Sequence, residues 1–367
     1  MNILIVTTYY SPYKSGMSEY AKILAEGLAK RGHKVTVLTS RFRRDLHENE
    51  TVNRVIIRRI PVLMKISKGV IMPTFVSELR RLSRDNDMVN LHAPMFEVWL
   101  AAKAVPKEKI VVTYHCDLNL RNKFIEGVYY FFLNKAMEKV KSIVVNNLDY
   151  LRNSSVKEFA SKAVEVIPPV KEGMAYRNPE RLKKSLGLSK EKLIGFLGRL
   201  VEEKGVEYLI NSSKFIKGKD FRILIAGSGN VAGGSLEKEL KQLAKKYPEK
   251  ILFIGEIPEN KLTEFYSMLD VFVLPSVNSL ESFGLTQIEA MLCGCPVIAS
   301  DLDGVRKPVS LTGMGLIVKH GDSKEIGKAI NKILEDRKRF TKSRLEISNA
   351  FDNEKFFERY ERILTRE

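Results

Sequence analysis

The sequence of 367 residues contains only three cysteines, Cys116, Cys293 and Cys295. A small, odd number argues against the framework of disulfide bonds that holds many small secreted domains together. Cys293 and Cys295 could form half of a metal site, but no second pair of cysteine or histidine residues has a suitable spacing. We therefore expect buried structural thiols and no bound metal.

Long apolar segments are also absent. No run approaches the ~20 residues that a helix needs to span a bilayer. The first eight residues carry no basic region and no cleavage site, so they predict a first strand and not a signal peptide. Glutamine is limited to Gln242 and Gln287 while lysine and glutamate are abundant, a bias typical of proteins from high-temperature organisms. These features, with 44% hydrophobic and 29% charged residues, predict a globular cytoplasmic protein.

Basic residues outnumber acidic ones, with 61 Lys and Arg against 44 Asp and Glu and a net charge of +17. The excess is greatest in residues 54–84, where only Glu78 is acidic. The basic residues of this stretch are Arg54, Arg58, Arg59, Lys65, Lys68, Arg80, Arg81 and Arg84. Such a surface is either simply solvated or binds an anionic membrane, an anionic acceptor or nucleic acid. Because no nucleic-acid-binding motif accompanies the charge, we do not expect nucleic acid as a partner.

Two segments combine large apolar residues with basic neighbours. Residues 63–72 mix lysines with leucine, isoleucine and methionine, and residues 128–133 form a dense aromatic run flanked by Arg121, Lys123 and Lys135. The aromatic run is consistent with a buried helix face. The alternative is an element that touches a membrane surface or binds the acceptor.

Strands and helices alternate along the first half of the chain. Apolar runs predict strands at residues 3–8, 34–39, 54–59, 88–92, 110–114 and 142–146. Amphipathic periodicity predicts helices at residues 18–31 and 124–139. This alternation indicates an α/β fold with a parallel, doubly wound sheet.

The alternation stops at residues 166–179, which include Pro168 and Pro169, and then resumes. Strands are predicted at 193–197, 221–226, 251–254, 270–274, 296–300 and 315–318. Helices are predicted at 205–215, 235–246, 259–268, 285–292, 324–334 and 353–364. We therefore expect two Rossmann-like domains, residues 1–168 and 169–350.

The loop after the first strand of the second half suits an anionic diphosphate. Gly198 ends the strand, Arg199 and Lys204 stand five residues apart, and Gly205 opens the next helix. Arginine offers phosphate oxygens a planar fork and lysine a point charge, and a helix N-terminus adds backbone N–H donors. Taken alone, the loop is also consistent with a solvated basic turn.

Glu281 and Glu289 lie on either side of a loop-to-helix transition after strand 270–274. Open α/β sheets bind ligands where a strand feeds a helix in this way. With 44 acidic residues in the chain, two glutamates eight residues apart can occur by chance. The interpretation of this pair therefore depends on its neighbours.

Three other motifs have alternative interpretations. Residues 227–232 fit a loose dinucleotide-binding fingerprint but do not follow the first strand of either domain, so a tight turn is favoured. His115 and Asp117 end strand 110–114 and would point into a cleft between the domains, although a single histidine is more often structural. Asp301 and Asp303 are spaced like an Asp-x-Asp metal motif, but here a capped turn is favoured.

Together these motifs resemble the retaining glycosyltransferases of the GT-B fold, in the group called family 4 or glycosyl transferases group 1. Residues 16–38 resemble the glycine loop, helix and Gly-His-x-Val strand of that family, and residues 196–205 resemble its diphosphate-binding segment. Residues 253–257 are similar to its nucleobase-side loop, and residues 274–300 to its signature block. The resemblance implies an N-terminal acceptor-binding domain and a C-terminal domain that binds a nucleotide sugar. It also implies that residues 351–367 pack back on the first domain.

The resemblance also implies roles for individual residues. Arg199 and Lys204 would neutralise the leaving diphosphate, Glu281 would contact the donor sugar, and Glu289 would hold the ribose hydroxyl groups. His115 would lie beside the donor sugar and belongs with Arg199, Lys204 and Glu281 in the implied catalytic set. The other implied substrate-binding residues are Gly16, Asp117, Gly198, Ile257, Ser282, Phe283, Gly284 and Leu285, with the N–H groups of residues 283–285 facing the sugar and phosphates.

The sequence departs from the family pattern at three places. Ser15 precedes Gly16 where the family often has two glycines, residues 168–172 replace its Pro-x-Gly-Val-Asp segment, and Lys307 stands where many members have glutamate. The first difference predicts a slightly different position for the first loop, and the second predicts the loss of the family's linker contact. Lys307 would add basic surface near the cleft.

The implied function is transfer, with retention, of a hexose-type sugar from a UDP- or GDP-sugar to an acceptor hydroxyl, without a metal or other cofactor. The acceptor would be a glycolipid, a lipid-linked molecule or a polysaccharide, and the protein would touch the inner face of the cell membrane. A sugar-nucleotide epimerase on the same fold is an alternative. An NAD-dependent dehydrogenase is a weaker one, because no fingerprint follows the first strand.

Overall fold

The computed structural model describes residues 1–13, 15–66, 69–120, 122–229 and 235–365. The chain forms two compact units, one comprising Met1–Pro169 and Asn353–Glu367 and the other Val170–Asp352. Residues 166–179 form neither helix nor strand. Among the described helices, none combines the length and the apolar character that crossing a bilayer requires.

The first unit is built on an eight-stranded sheet with the order β10-β9-β8-β7-β1-β2-β4-β3. Its elements are β1 (Asn2–Val6), α1 (Gly16–Lys30), β2 (Lys34–Arg41), β3 (Asn49–Val52), β4 (Val55–Pro61), β5 (Met64–Ile66), β6 (Gly69–Ile71), α2 (Phe75–Arg84), β7 (Met88–Ala93), α3 (Val98–Ala104), β8 (Ile110–Tyr114), α4 (Lys123–Glu138), β9 (Ser142–Val145), α5 (Leu148–Leu151) and β10 (Ala163–Glu165). Short 3-10 helices span Lys107–Lys109 and Lys157–Lys162.

The central strands of this sheet are buried on both faces, which explains why they are continuous apolar runs. Successive side chains of β1 alternate between the faces. Leu4 and Val6 join a core with α2, α3 and α4, whereas Ile3 and Ile5 join a second core with α1. Helices on both faces make the sheet doubly wound, as predicted.

Part of the first unit was not predicted. β3 pairs with β4 in the antiparallel sense, so the sheet is not wholly parallel, and β5 and β6 form a separate hairpin. The helices α2 and α3 were also missed. The buried face of α2 consists mainly of Phe75, Leu79 and Leu82, whose apolar spacing is interrupted by the basic residues Arg80 and Arg81.

The second unit has a fully parallel six-stranded sheet with the order β13-β12-β11-β14-β15-β16. Its elements are α6 (Glu180–Ser185), β11 (Lys192–Leu197), α7 (Val206–Ser212), β12 (Phe221–Ala226), α8 (Glu237–Ala244), β13 (Ile251–Gly255), α9 (Leu262–Met268), β14 (Val271–Leu274), α10 (Leu285–Leu292), β15 (Val297–Ser300), α11 (Lys307–Thr312), β16 (Gly315–Val318), α12 (Ser323–Glu335) and α13 (Arg344–Ala350). Short 3-10 helices span Glu202–Lys204, Ser213–Phe215, Glu259–Lys261 and Arg337–Phe340.

The last helix, α14 (Asn353–Thr365), returns to the first unit and packs on α1. The two helices approach closely at Gly27, where an added Cβ atom would lie 2.1 Å from the ring of Phe357. The Tyr20 and Tyr360 hydroxyl groups share a buried hydrogen bond of 2.9 Å. Glycine at position 27 and this hydroxyl pair therefore attach the C-terminal helix to the first unit.

The cysteines are all free. Cys293 and Cys295 are buried, as expected, but Cys116 is partly exposed, so the expectation of three buried thiols is wrong at that position. Burial raises the pKa of the Cys293 thiol to about 12.

Candidate active site

The candidate site lies at the carboxyl edge of the second sheet, at the point where the strand order reverses. β11 lies between β12 on one side and β14 on the other. The loops that follow two such adjacent strands open a crevice, which is where open α/β sheets bind ligands. The segment from Gly198 to Lys204 follows β11, and Glu281 lies in the loop after β14, so the fold brings the two predicted segments together.

The two loops contact each other through their backbones. Gly205 has a φ of 59°, and a Cβ atom there would lie 2.2 Å from the carbonyl oxygen of Pro275. The N–H of Val277 donates to the carbonyl oxygen of Glu203 at 3.1 Å. Glycine is therefore required at position 205 for the second loop to sit against the first.

Lys204 and Glu281 form an ion pair across this contact. Their side chains are only 15% and 16% exposed, respectively. Separate roles were predicted for the two residues, but their pairing was not. Opposite charges held this close in a partly desolvated crevice attract each other more strongly than they would at an open surface.

Arg199 extends from the same loop and is more exposed. Its Nη2 donates to Oε1 of the buried Glu203 at 2.9 Å, and 44% of the arginine side chain is accessible to solvent. Its other N–H groups make no hydrogen bond with the described residues. Glu203 thus holds the guanidinium by one nitrogen and leaves its remaining donors for an anion.

Gly198 begins this loop directly over the turn that follows β12. Gly227 has a φ of 129°, and a Cβ atom there would lie 1.8 Å from the carbonyl oxygen of Gly198. The N–H of Leu200 also donates to the carbonyl oxygen of Ser228 at 3.2 Å. Residues 227–229 therefore form a tight turn that supports the loop of residues 198–204. Residues 230–232 of the possible dinucleotide fingerprint lie outside the described residues.

The start of α10 provides the backbone N–H groups of the site. Gly284 precedes the helix with a φ of 80°, and no side chain caps the first turn. Phe283 is buried, and its carbonyl oxygen accepts a hydrogen bond of 3.1 Å from Gln287, which also donates to the carbonyl oxygen of Val305 at 2.9 Å. Ser282 and Leu285 flank this position and are partly exposed. Gln287 was not predicted as a site residue. Its side chain stabilises the turn at residues 283–284 by bonding to these two carbonyl oxygens.

Glu289 lies one turn further along α10 and is held by a residue that was not predicted. One of its carboxylate oxygens, Oε2, accepts a hydrogen bond of 2.7 Å from the hydroxyl of Tyr266, which is fully buried. Burial and the nearby carboxylate raise the pKa of Tyr266 well above its usual value, so it remains a donor. Nothing in the spacing of the sequence indicates this tyrosine, because α9 reaches Glu289 only through tertiary packing.

Ile257 follows β13 at the same edge of the sheet and is partly buried. The carbonyl oxygen of Gly255 accepts a hydrogen bond of 2.8 Å from the N–H of Gly227. This contact places the loop after β13 beside the turn under Gly198. The predicted nucleobase and diphosphate segments are therefore neighbours.

Gly16 is the first residue of α1 in the first unit. Ser15 caps this helix, accepting a hydrogen bond of 3.1 Å from the N–H of Ser18. A Cβ atom on Gly16 would have nothing within 4 Å. The fold of this unit therefore does not require glycine here, and serine at position 15 has a local structural role.

His115 directly follows β8 and is buried against a second histidine that was not predicted. Its Nε2 lies 2.9 Å from Nδ1 of His92, whose Nε2 lies 2.9 Å from Oδ1 of Asn90. Burial lowers the pKa of His115 to about 3 and lowers that of His92 well below its usual value, so both rings are neutral. Asn90 and His92 are two positions apart and therefore lie on the same face of β7. Two polar residues with this spacing in a buried strand are the sequence signal that could have indicated the pair.

Asp117 is held in place by its own neighbours. Its Oδ1 accepts hydrogen bonds from the hydroxyl of Tyr114 and, at 3.0 Å, from the N–H of Ser155. Its backbone N–H donates to the hydroxyl of Tyr150 at 2.7 Å. These bonds give Asp117 a structural role in ordering the segment after β8.

Asp301 and Asp303 both pair with Arg306, with N–O distances of 2.8 and 2.5 Å. The Asp-x-Asp sequence therefore belongs to an ion-paired turn. In the part of the chain that the structure describes, no group of three or more His, Cys, Asp or Glu side chains could hold a metal ion.

The architecture of the chain is that of the GT-B glycosyltransferases. Sucrose-phosphate synthase from Thermosynechococcus elongatus matches it with a TM-score of 0.79 and 20% identity, over 100% of this chain and 98% of the other. The Anabaena protein HepE in complex with UDP matches with a TM-score of 0.80 and 18% identity, over 100% of both chains. At these identities the likeness shows the fold alone.

Two family models cover most of the sequence. The model described as Glycosyltransferase Family 4 matches residues 14–170, and that described as Glycosyl transferases group 1 matches residues 178–351. The chain therefore belongs to the group 1 glycosyltransferases, which confirms the resemblance. An uncharacterized glycosyltransferase of Methanocaldococcus jannaschii is 27% identical, over 92% of this chain and 90% of its own length. A phosphatidyl-myo-inositol mannosyltransferase of Mycobacterium leprae is also 27% identical, over 96% and 93%.

Proposed function

We propose that this glycosyltransferase moves a hexose from a nucleotide-diphosphate sugar, UDP- or GDP-linked, to an acceptor hydroxyl with retention of configuration. The observation that carries the proposal is the crevice between the loops after β11 and β14, where Lys204 pairs with Glu281 beside Arg199. Related proteins support a nucleotide-sugar donor. HepE was solved with UDP-glucose, and the M. leprae relative is a mannosyltransferase.

The charges of this crevice suit the bond that must break. As the bond between sugar and phosphate opens, negative charge develops on the diphosphate. Arg199, Lys204 and the N–H groups at the start of α10 supply positive potential that is already oriented. In our proposal these groups stabilise the leaving group without a divalent cation, so EDTA should not change the rate.

The Lys204–Glu281 ion pair must open in this proposal when the donor binds. In our proposal the diphosphate takes over Lys204 when the donor binds, and Glu281 turns to the hydroxyl groups of the sugar. The carboxylate then lies close to a sugar that is becoming cationic, which lowers the energy of the transition state. An acceptor hydroxyl that attacks from the face of the leaving group gives retention.

The other predicted residues take binding roles in the same proposal. Glu289, held by Tyr266, accepts hydrogen bonds from the ribose hydroxyl groups, and Ile257 borders the nucleobase. The remaining contacts that we propose are Gly16, Gly198, Ser282, Phe283, Gly284 and Leu285 for the phosphates and sugar, with His115 at a sugar hydroxyl and Asp117 ordering the segment beside it.

Donor identity is tested first by binding. Thermal-shift measurements with UDP-, GDP- and ADP-glucose and with NAD should show stabilisation by one class of sugar nucleotide and none by NAD. Calorimetry with the preferred donor should show weaker binding by Glu289→Ala, about tenfold for the loss of charged hydrogen bonds. Stabilisation by NAD alone, or unchanged affinity of Glu289→Ala, would contradict this arrangement.

Turnover then tests the leaving-group assignment. Arg199→Ala and Lys204→Ala should each lower the rate of nucleotide release on the order of 10²-fold or more. Lys217→Ala is the matched control, because Lys217 precedes β12 at the opposite edge of the same sheet and its charge pairs with Glu335 on the surface. Full activity in both site variants, or an equal loss in the control, would rule out the assignment.

We also propose that the acceptor is lipid-linked and that α4 docks on an anionic membrane. Tyr129 and Leu133 bury one face of this helix, but Phe124 and Phe131 are 80% and 60% exposed on the other. The helix α4, which contains the predicted aromatic run, thus has one buried face and one exposed apolar face. The β5–β6 hairpin exposes Leu63, Met64 and Ile71 as well. Of the basic residues predicted to flank these segments, Lys68 and Arg121 lie outside the described residues.

Sedimentation with vesicles tests this docking. The protein should pellet with vesicles of phosphatidylglycerol and phosphatidylcholine at low salt, and Phe124→Ser with Phe131→Ser should reduce the bound fraction. Leu345→Ser, which changes an equally exposed apolar residue in the second unit, should not. Equal binding by all three proteins, or no binding by wild type, would exclude α4 as the docking element.

A further inference from the structure

A continuous line of buried hydrogen bonds runs beneath His115. It passes from His115 to His92 and Asn90, at 2.9 Å for each step. Asn90 Nδ2 then donates to the hydroxyl of Thr113 at 2.9 Å, and Thr113 bonds to the hydroxyl of Tyr360 at 2.8 Å. The line thus connects the end of β8 to helix α14.

The orientation of the Asn90 amide follows from its surroundings. Its Nδ2 lies 3.3 Å from the carbonyl oxygen of Val111, which can only accept a hydrogen bond. The reverse orientation would place two carbonyl oxygens against each other. Oδ1 therefore faces Nε2 of His92 as an acceptor.

The positions of the protons follow step by step from this amide. His92 must carry its proton on Nε2 to donate to Asn90 Oδ1, so Nδ1 of the neutral ring is an acceptor. His115 must then carry its proton on Nε2 to donate to that Nδ1. In the neutral ring of His115 the remaining nitrogen, Nδ1, is therefore unprotonated.

The Nδ1 atom of His115 is therefore available to accept a hydrogen bond. Among the described residues it has no hydrogen-bond partner. The ring itself is held rigidly, because Tyr20 packs edge-on against it with centroids 4.8 Å apart and Tyr20 is tied to Tyr360 by a hydrogen bond. Tyr20 also packs against His92, with ring centroids 5.9 Å apart, and Tyr360 reaches the line of hydrogen bonds through Thr113. Because the His115 ring is rigid and its Nε2 is already hydrogen-bonded, its Nδ1 points in a single direction.

We propose that Asn90 and His92 are positioning residues that hold His115 as the Nε2–H tautomer, so that its Nδ1 accepts a hydrogen bond from a hydroxyl group of the transferred sugar. This inference rests on the proposed function for the identity of the ligand. The proton assignment itself rests on the geometry alone. A sugar hydroxyl must donate at this position, so a sugar with a hydrogen or an ether there would bind less well.

The tautomer can be measured without substrate. The chain has five histidines, and long-range proton–nitrogen correlation spectra of protein labelled with ¹⁵N-histidine distinguish protonated from unprotonated ring nitrogens. Comparison with His115→Gln assigns the ring of His115. We expect an unprotonated Nδ1 and a protonated Nε2 at pH 7. A protonated Nδ1 in the wild-type protein, as the other tautomer or as an imidazolium, would overturn the proposal.

Two buried substitutions separate positioning from simple packing. Asn90→Leu keeps the approximate volume but removes the acceptor for His92, so His115 should become a mixture of tautomers and kcat/KM should fall about tenfold, the loss of one hydrogen bond. Thr113→Val removes a hydroxyl from the same buried line but leaves the Val111 contact that orients Asn90. It should leave both the tautomer and kcat/KM unchanged even if it lowers stability.

A double-mutant cycle completes the test. If Asn90 acts through His115, Asn90→Leu should have no further effect on kcat/KM in a His115→Ala background. Additive losses, or an equal loss in Thr113→Val, would show that the line only supports the fold. Spectra that match the expectation in a protein that binds no sugar nucleotide would instead refute the proposed function and leave the proton assignment intact.

Discussion

Replacing Gly284 by alanine tests the turn on which α10 depends, and the same helix provides a matched control. Gly284 precedes α10 with a φ of 80°, and Gly294 follows the helix with a φ of 81°. Alanine is strained in this left-handed region at both positions. Only at Gly284 would its Cβ atom also meet neighbours, because Nε2 of Gln287 and Cδ2 of Leu274 each lie 2.5 Å away, whereas nothing lies within 4 Å at Gly294.

The magnitudes follow from these distances. The left-handed conformation costs alanine roughly 1–2 kcal/mol, and that term is common to both variants. At Gly284 the amide of Gln287 must also move from its bonds to Phe283 and Val305. A buried amide that loses its partners costs about 1–3 kcal/mol more. We therefore expect Gly284→Ala to destabilise α10 by that additional amount relative to Gly294→Ala.

Hydrogen exchange measured by mass spectrometry is the suitable assay, because it reports the opening of one helix in a chain of two units. Peptides that cover Leu285–Leu292 should exchange faster in Gly284→Ala than in Gly294→Ala. Calorimetry should show weaker binding of the preferred sugar nucleotide by Gly284→Ala only. The single tryptophan, Trp99, lies in the first unit and serves as an internal reference, since its fluorescence should not change.

Equal exchange rates in the two variants would refute the reasoning, because they would mean that the crowding at Gly284 relaxes at no cost. Faster exchange with unchanged donor affinity would separate the two claims. It would confirm the structural role of the turn and exclude its N–H groups from donor binding.

Two further predictions concern the attachment of α14, and both can be followed by urea unfolding with Trp99 fluorescence. Arg31 donates hydrogen bonds of 3.0 and 2.9 Å to the Glu361 carboxylate, which lowers the pKa of Glu361. The stabilisation is therefore present above the unfolded pKa of about 4.3 and is lost as the pH falls through the folded value. Glu361→Gln should cost about 1 kcal/mol at pH 7 and nothing at low pH. Tyr360→Phe should cost about 1–3 kcal/mol, because it leaves the buried hydroxyl groups of Thr113 and Tyr20 without their shared partner.

Each of these changes has a control in the first unit. Glu354 also pairs with Arg31 but is 70% exposed, so Glu354→Gln should have little effect on unfolding at any pH. Tyr13 is partly exposed, and its hydroxyl makes no hydrogen bond with the described residues, so Tyr13→Phe should leave stability unchanged. A pH-independent loss in Glu361→Gln, or equal losses in Tyr13→Phe and Tyr360→Phe, would contradict the assigned interactions.

The fold class could be predicted because most of the parallel strands are buried on both faces and read as apolar runs. β8, β12, α10 and β16 have the predicted bounds, and most other elements that were predicted differ by only a few residues. The elements that were not predicted lack a continuous apolar run. β3 is a polar, mostly exposed strand that pairs with its neighbour after a turn at Asn53 and Arg54, and its antiparallel direction depends on that turn.

The candidate site was predictable to the level of its loops but not of its contacts. Family motifs marked the segments that contain Arg199, Lys204, Glu281 and Glu289, and parallel strand order then implied that they lie at one edge. The partners of these residues come from elsewhere in the chain. Tyr266 reaches Glu289 from a neighbouring helix across 23 positions, which no periodicity predicts.

The sequence by itself determined the class of this protein, because apolar periodicity and a few glycine-containing motifs are local properties that survive in one dimension. Only the tertiary structure decided how the charged and polar residues are paired. It set Lys204 against Glu281 and His115 against His92, 77 and 23 positions apart. Hydrogen bonds and ion pairs depend on distances of a few ångströms between atoms, and those distances exist only once the strands have been placed side by side.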